Sequence, residues 1–175
     1  VHDFAFTTDP SYRMGVTRTR GIRCVALVQA HKAKNWLEVS DFTAEVVNTY
    51  EEQFGPYPYP KVVVADARDG MEYPMVTLCG GTTPDNYCLI AHEVGHMWFH
   101  STVGTNEAYR AAMDEGFTQM LTVQGLNAAA GKYHATPNRD NWYRRAFTDS
   151  ITNRDENVYA WYLTKAIQGD DARLN

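Results

Sequence analysis

Apolar residues in the first part of the chain alternate with polar ones, a pattern that is typical of β-strands. It predicts strands at residues 1–6 (VHDFAF) and 21–30 (GIRCVALVQA), with turns over TDPSYRMG between them. The β-branched run KVVVAD at 61–66 predicts a buried strand. A further strand is predicted in MEYPMVTLCGG at 71–81. We place it at a sheet edge, because Pro74 cannot donate a hydrogen bond to a central ladder.

Apolar residues elsewhere recur every three or four positions, as on one face of an α-helix. This spacing predicts a helix over residues 36–54, which Gly55 and Pro56 end. A second helix is predicted to begin at TPDN, residues 83–86, and to continue through NYCLIAHEVGHMWFH. In TPDN a threonine can cap the helix, a proline can take its first position and an aspartate can complement its dipole.

Two more helices are predicted in the second half, at residues 108–126 with an interruption near Gly116, and at 138–166. Strands in the first half and helices in the second are typical of an α+β fold, here a small sheet followed by helices. The length of 175 residues fits one domain. We divide it into a sheet-rich lobe with one long helix, residues 1–82, and a helical lobe, residues 83–175.

The composition is that of a globular protein, with 44% apolar and 13% aromatic residues. The net charge is -5 and the basic residues are scattered, which disfavours nucleic-acid binding. No apolar run approaches the roughly 20 residues that span a bilayer. The chain starts with Val1 inside an apparent strand and carries no targeting segment. We therefore expect a piece of a longer protein, and we assign no compartment.

The stretch AHEVGHMW at 91–98 contains the pattern H-E-x-x-H. Four residues of helix place His92 and His96 about 40° apart on one face, so both imidazoles can reach one zinc ion. Glu93 is rotated by about 100° and would flank the ion, where a carboxylate can take a proton from water. The pattern arises by chance in roughly one such chain in a hundred, so it needs a third ligand as support.

A catalytic zinc ion takes three protein ligands and keeps one open position. Eighteen residues separate His96 from Glu115 in the stretch MDEGF, and the loop STVGTN would let a second helix fold back. Asp114 could also be the ligand on chemistry alone. Cys88, one turn before His92, could bind metal as a thiolate, although a small packing residue is the commoner role of such a cysteine.

The pattern H-E-x-x-H, eighteen residues, then E-G-F resembles the gluzincin zinc aminopeptidases of the aminopeptidase N type. VHDFAFTTDP, YEEQFGPYPYPKVVVAD and HMWFHSTVGTNEAY are similar to the catalytic domain of this family as well, up to about Leu126. The resemblance implies a thermolysin-like catalytic domain with one zinc ion held by His92, His96 and Glu115. It also implies that Glu93 is the general base. Ala112 departs from the family, in which many members carry a bulky aromatic residue.

RDGMEYPM at 68–75 resembles the G-x-M-E-N motif of the same family. The resemblance implies that this edge strand pairs with an extended peptide, with Gly70 and Met71 giving close backbone approach and Glu72 binding the free α-amine. A carboxylate forms a charge-assisted hydrogen bond with an ammonium group, which suits that role. Asp69 and Tyr73 depart from the family motif and affect the expected shape of the cleft.

The expected function is therefore removal of N-terminal residues from peptides that have a free amino terminus. The alternatives are a zinc endopeptidase or other hydrolase of the same fold, and a chain that binds zinc without catalysis. The resemblance further implies an oxyanion-binding tyrosine, which we expect beyond Asn175. It also implies flanking domains that are absent from this chain, so we expect the catalytic domain to be truncated at its C-terminal side. Tyr159 and Tyr162 are assigned no catalytic role, since their spacing fits helix packing.

Overall fold

A β-hairpin is the first regular structure in the computed structural model, which describes residues 3–82, 86–130 and 132–133. Strand β1 (Arg13–Thr19) pairs antiparallel with β2 (Ile22–Val28). Arg20 and Gly21 join them, both with positive φ, as in the two-residue turns that match strand twist. The strand predicted at 1–6 is wrong, since residues 3–6 lie in no strand.

All of TDPSYRMG was predicted to form turns. Its last three residues, RMG at 13–15, in fact begin β1. The inner face of this strand is polar and is matched by polar residues of helix α1 (Val39–Phe54). Thr17 Oγ1 donates to Ser40 Oγ at 3.1 Å, and Thr19 Oγ1 donates to Asn48 Oδ1 at 2.6 Å. A strand whose inner side chains form hydrogen bonds in place of apolar contacts lacks the alternation by which strands are found.

Helix α1 connects β2 to a parallel neighbour, β3 (Lys61–Asp66), whose bounds agree with the predicted strand. The predicted stop at Gly55 is confirmed, and this glycine has a φ of 102°. The helix starts three residues later than the predicted residue 36, after a short 3-10 helix at Ala30–Asn35. Trp36 is nevertheless buried, so the apolar periodicity correctly marked a core residue.

The sheet has the order β1-β2-β3-β4, and β4 (Val76–Cys79) pairs parallel with β3. The prediction of an edge strand is confirmed for the described residues, although Pro74 lies in the turn before β4 and not in the strand. Met71 forms an isolated antiparallel bridge with Leu78 on the outer side of β4. The stretch that contains Glu72 therefore runs along this edge.

Helices α2 (Tyr87–Phe99) and α3 (Ala111–Ala129) complete the described fold. The predicted cap in residues 83–85 and the predicted helix at 138–166 lie outside the described residues. Helix α3 continues through Gly116, so the predicted interruption is wrong. A glycine costs about 1 kcal/mol in a helix interior, which the packing of a 19-residue helix can offset.

Close packing fixes α3 against α2 and α1. A Cβ atom at Gly95 would lie 3.1 Å from Thr118 Cγ2 and 3.4 Å from Leu121 Cβ, so this glycine allows α3 to approach α2. Tyr50 of α1 is fully buried and donates its hydroxyl to the carbonyl of Ala91 at 2.9 Å. The helix that carries both histidines is thus held from two sides. None of the described helices is long and apolar enough to cross a membrane.

Candidate metal centre

His92 and His96 lie one turn apart on α2 and turn the same ring nitrogen toward each other. Their Nε2 atoms are 3.1 Å apart, and the ring planes are nearly perpendicular at 87°. Two imidazoles in this arrangement can direct their lone pairs at one point, as zinc requires. The spacing expected from the helix is therefore realised by the side chains.

Glu115, in the second turn of α3, completes a triangle of donor atoms. Its Oε2 atom lies 3.0 Å from Nε2 of His92 and 3.7 Å from Nε2 of His96. Ligand atoms on a tetrahedral zinc ion at 2.0 to 2.1 Å are about 3.3 Å from one another. The three distances, 3.0, 3.1 and 3.7 Å, bracket this value, so these residues could hold a zinc ion.

The pKa shifts of Glu115 and His96 indicate a site that attracts positive charge. Hydrogen bonds from His92 and then His96 hold the pKa of Glu115 well below its usual range. Burial by itself would lower the pKa of His96, but hydrogen bonds to Asp114 and Glu115 raise it to about 10. A metal ion must displace such a proton before it can bind, which couples metal binding to proton release.

The other ring nitrogens face hydrogen-bonding side chains of α3. Nδ1 of His96 lies 3.2 Å from Asp114 Oδ1 and 3.2 Å from Thr118 Oγ1, and Nδ1 of His92 lies 3.3 Å from Thr122 Oγ1. Such partners orient the imidazole of a metal-ligating histidine. Sequence reasoning missed both threonines. The four-residue spacing 114, 118, 122, which puts three polar groups on one face of α3, could have identified them.

Asp114 and Cys88 were the alternative ligands. Asp114 is 1% exposed, its Oδ1 atom faces the outer nitrogen of His96, and it accepts a hydrogen bond from Thr105 Oγ1 at 2.7 Å. These contacts are typical of a group that orients a histidine ligand, and Asp114 also belongs to a group of side chains that could hold a metal. Within the described part of the chain, no group of side chains that could hold a metal includes Cys88.

Glu93 is 5% exposed and packs against the stretch beside β4. A Cβ atom at Gly70 would overlap Oε1 of Glu93 and would lie 2.8 Å from Cδ1 of Leu89. The other carboxylate oxygen, Oε2, is buried without a hydrogen-bond partner among the described residues. Burial raises the pKa of Glu93 to about 8, against the opposing effect of the His96 charge. A carboxyl group whose pKa is near neutrality is suited to proton transfer.

Glu72 lies close to the same centre. One donor atom each from Glu72, His96, Asp114 and Glu115 lie within 4.8 Å of one another. Met71 directs its N–H and C=O groups to Leu78, at 2.9 and 2.8 Å, so the peptide groups of the next residue point away from β4. Burial is the main cause that raises the pKa of Glu72. The structure therefore brings the two sequence motifs together alongside α2.

The fold is a mixed α+β arrangement that is similar to solved zinc peptidases. An M1 zinc metallopeptidase from Deinococcus radiodurans superposes with a TM-score of 0.56 at 20% sequence identity, over 77% of this chain and 32% of that one. A two-domain M1 zinc metallopeptidase variant bound to L-arginine gives 0.54 at 18% identity, with the same coverage of both chains. At this identity the likeness shows the fold alone, and the chain spans about a third of the length of these structures.

Sequence comparisons add no further assignment. No protein-family model matches the chain, and no curated protein matches it. The structural neighbours are zinc metallopeptidases, and the described residues include a group that could hold a metal ion. The likeness therefore supports a zinc-peptidase fold for the described part of the chain.

Proposed function

We propose that this chain contains the zinc centre of an aminopeptidase, with one ion bound by His92, His96 and Glu115. The observation that carries the proposal is the triangle of their donor atoms, whose edges of 3.0 to 3.7 Å match a tetrahedral zinc site. When bound there, zinc would polarise a peptide carbonyl and lower the pKa of water. The outer nitrogens of both histidines already have orienting partners.

Glu93 is the general base in this proposal. Its Oε1 atom is held against Gly70, so Oε2, which has no partner among the described residues, is the atom that takes the proton of the attacking water. The same carboxyl group then gives the proton to the leaving amine. Proton transfer of this kind contributes about 100- to 10,000-fold to the rate.

Glu72 gives the proposed enzyme its requirement for a free amino terminus. A carboxylate within 4.8 Å of donor atoms of His96 and Glu115 can hold the α-ammonium group of a peptide while the first carbonyl lies at the metal. The peptide groups of Glu72, which point away from β4, can pair with an extended substrate, and Met71, which bridges to β4, holds the Gly70–Glu72 stretch in place.

The test is substitution in the full-length protein. Glu93→Gln should retain one zinc ion per chain by elemental analysis and lose at least about 100-fold in the rate of hydrolysis of amino-acid anilides. Unchanged hydrolysis would refute the general-base role. Glu52→Gln is the matched control, because this carboxylate is exposed on α1 and pairs with Arg20.

A second comparison separates an aminopeptidase from an endopeptidase. Glu72→Ala should reduce the hydrolysis of free-amine substrates far more than that of substrates whose amine is acetylated. An endopeptidase would hydrolyse both kinds equally before and after the substitution. A zinc-binding chain without catalysis would hold the metal and hydrolyse neither.

A further inference from the structure

A second group of charged side chains adjoins the proposed zinc ligands. One donor atom each from Glu72, His100, Glu107 and Asp114 lie within 4.8 Å of one another. They come from four places in the fold: the stretch beside β4, the end of α2, the loop between α2 and α3, and the first turn of α3. Because segments far apart in sequence meet here, the group does not result from local chain geometry.

This group combines three carboxyl groups with one imidazole, and two of its four side chains, Asp114 and His100, are buried. Asp114 is 1% exposed, and its Oδ2 atom has no hydrogen-bond partner among the described residues. His100, 3% exposed, is the one side chain of the four that can be positive, and Asp3 also approaches it, at 3.4 Å from Nε2. A buried carboxylate oxygen without a partner is costly unless a hydrogen-bond donor or a cation joins it.

The position of Glu72 indicates which cation suits the group. Glu72 belongs both to the group with His96 and Glu115 and to the group with His100 and Glu107. In a peptide the α-nitrogen lies only about 2.5 Å from the first carbonyl carbon, because a single Cα atom separates them. A substrate whose carbonyl is at the proposed metal therefore has its ammonium group between the two sets of carboxylates.

An ammonium group fits this place better than a second metal ion does. Oδ1 of Asp114 accepts a hydrogen bond from Thr105 and faces His96, which leaves Oδ2 as the one oxygen of this side chain that can accept an N–H group from a ligand. The side chain of Glu107 is 48% exposed, as expected of a group that meets a ligand entering from solvent. An ammonium group has three N–H donors, which three separate acceptors can satisfy.

We propose that Glu107 is a second carboxylate that binds the α-ammonium group of the substrate, opposite Glu72. His100 positions it, since Nδ1 of this buried imidazole lies 3.5 Å from Oε2 of Glu107. This inference rests on the proposed aminopeptidase function and extends it by a specificity-determining residue in the loop between α2 and α3.

The experiment measures ligand binding by calorimetry in the zinc-loaded, full-length protein. The probes are L-leucinamide and its deaminated analogue, which differ only in the amine. Glu107→Gln should weaken binding of L-leucinamide by about 10- to 100-fold, the usual effect of losing a hydrogen bond between charged groups. The deaminated analogue should bind with an affinity that changes less than about twofold, and Glu107→Asp should restore part of the loss. Glu52→Gln is the control for removal of an exposed carboxylate.

Each contrary result has a separate meaning. An equal loss for both probes, or no loss for either, would overturn the role of Glu107. If elemental analysis finds two metal ions in the unsubstituted protein and one in Glu107→Gln, the role of Glu107 as an amine anchor would be overturned in favour of a second metal site. If the unsubstituted protein binds both probes equally or binds neither, the proposed aminopeptidase function fails as well. If it discriminates between them and Glu107→Gln does so to the same extent, only the second amine anchor fails.

Discussion

The carboxylate of Glu93 occupies the space into which a side chain at Gly70 would project. A Cβ atom at position 70 would overlap Oε1 of Glu93. This contact joins the two sequence motifs physically, since Gly70 lies in the G-M-E stretch and Glu93 in H-E-x-x-H. The missing side chain at position 70 therefore determines where the proposed general base lies.

Gly70→Ala should impair hydrolysis without removing the metal. The atoms that a methyl group would meet are the ends of flexible side chains, Oε1 of Glu93 and Cδ1 of Leu89, so the fold can adjust. Glu93 must move to do so, and a displacement of about 1 Å at a catalytic group can cost about 100-fold in rate. We expect full zinc content, a change of less than about 1 kcal/mol in the free energy of unfolding, and a large fall in kcat. An unchanged kcat would show that the position of Glu93 does not depend on Gly70.

Asp114 and Glu115 are adjacent, yet we expect their substitution to have different effects on zinc binding. Glu115→Ala removes a proposed ligand and should abolish stoichiometric binding. Asp114→Asn keeps the shape but removes the charge facing Nδ1 of His96, and loss of such an orienting partner typically costs about 10- to 100-fold in metal affinity. Competition with a chelator measures both effects. Zinc loss from Asp114→Asn as complete as that from Glu115→Ala would make Asp114 the ligand.

Zinc should stabilise the folded chain through the same three residues. A metal that binds the folded state in preference to the unfolded state raises stability by about 2.7 kcal/mol at 100 times its dissociation constant. We expect zinc addition to raise the midpoint of thermal unfolding of the protein, and His92→Ala to remove that increase. Glu52→Gln should respond to zinc as the unsubstituted protein does, because its side chain is 62% exposed on α1. A rise that persists in His92→Ala would place the bound ion elsewhere.

The sequence predicted those parts of the fold whose signals are local. KVVVAD is a continuous β-branched run, and β3 has the same bounds. Gly55 ended α1 as predicted, because a glycine readily adopts the positive φ found there. Strand β1 was missed because Thr17 and Thr19 make hydrogen bonds to α1 where an apolar pattern would normally appear.

The candidate site was predictable to the extent that one helix or one resemblance specifies it. Helix periodicity alone puts His92 and His96 on one face of α2. The roles of Thr118, Thr122 and Glu107 depend on how the loop between the two helices returns α3 to α2. The spacing 114, 118, 122 marks one polar face of α3, but no periodicity in the sequence shows that this face meets the histidines or that Glu107 lies beside them.

Gly125→Ala should destabilise the protein by disturbing the support of α2. A Cβ atom there would lie 2.7 Å from the hydroxyl oxygen of Tyr50 and 3.1 Å from Cζ of its ring. Tyr50 is fully buried and cannot turn aside without losing its hydrogen bond to the carbonyl of Ala91, the residue before His92. Overpacking of this kind costs about 1–3 kcal/mol.

Gly116→Ala is the matched control in the same helix, since nothing lies within 4 Å of the added methyl group. It should stabilise the protein by up to about 1 kcal/mol. Urea unfolding measures both changes, and a Gly125→Ala protein as stable as Gly116→Ala would mean that the contact between α3 and Tyr50 does not constrain α2.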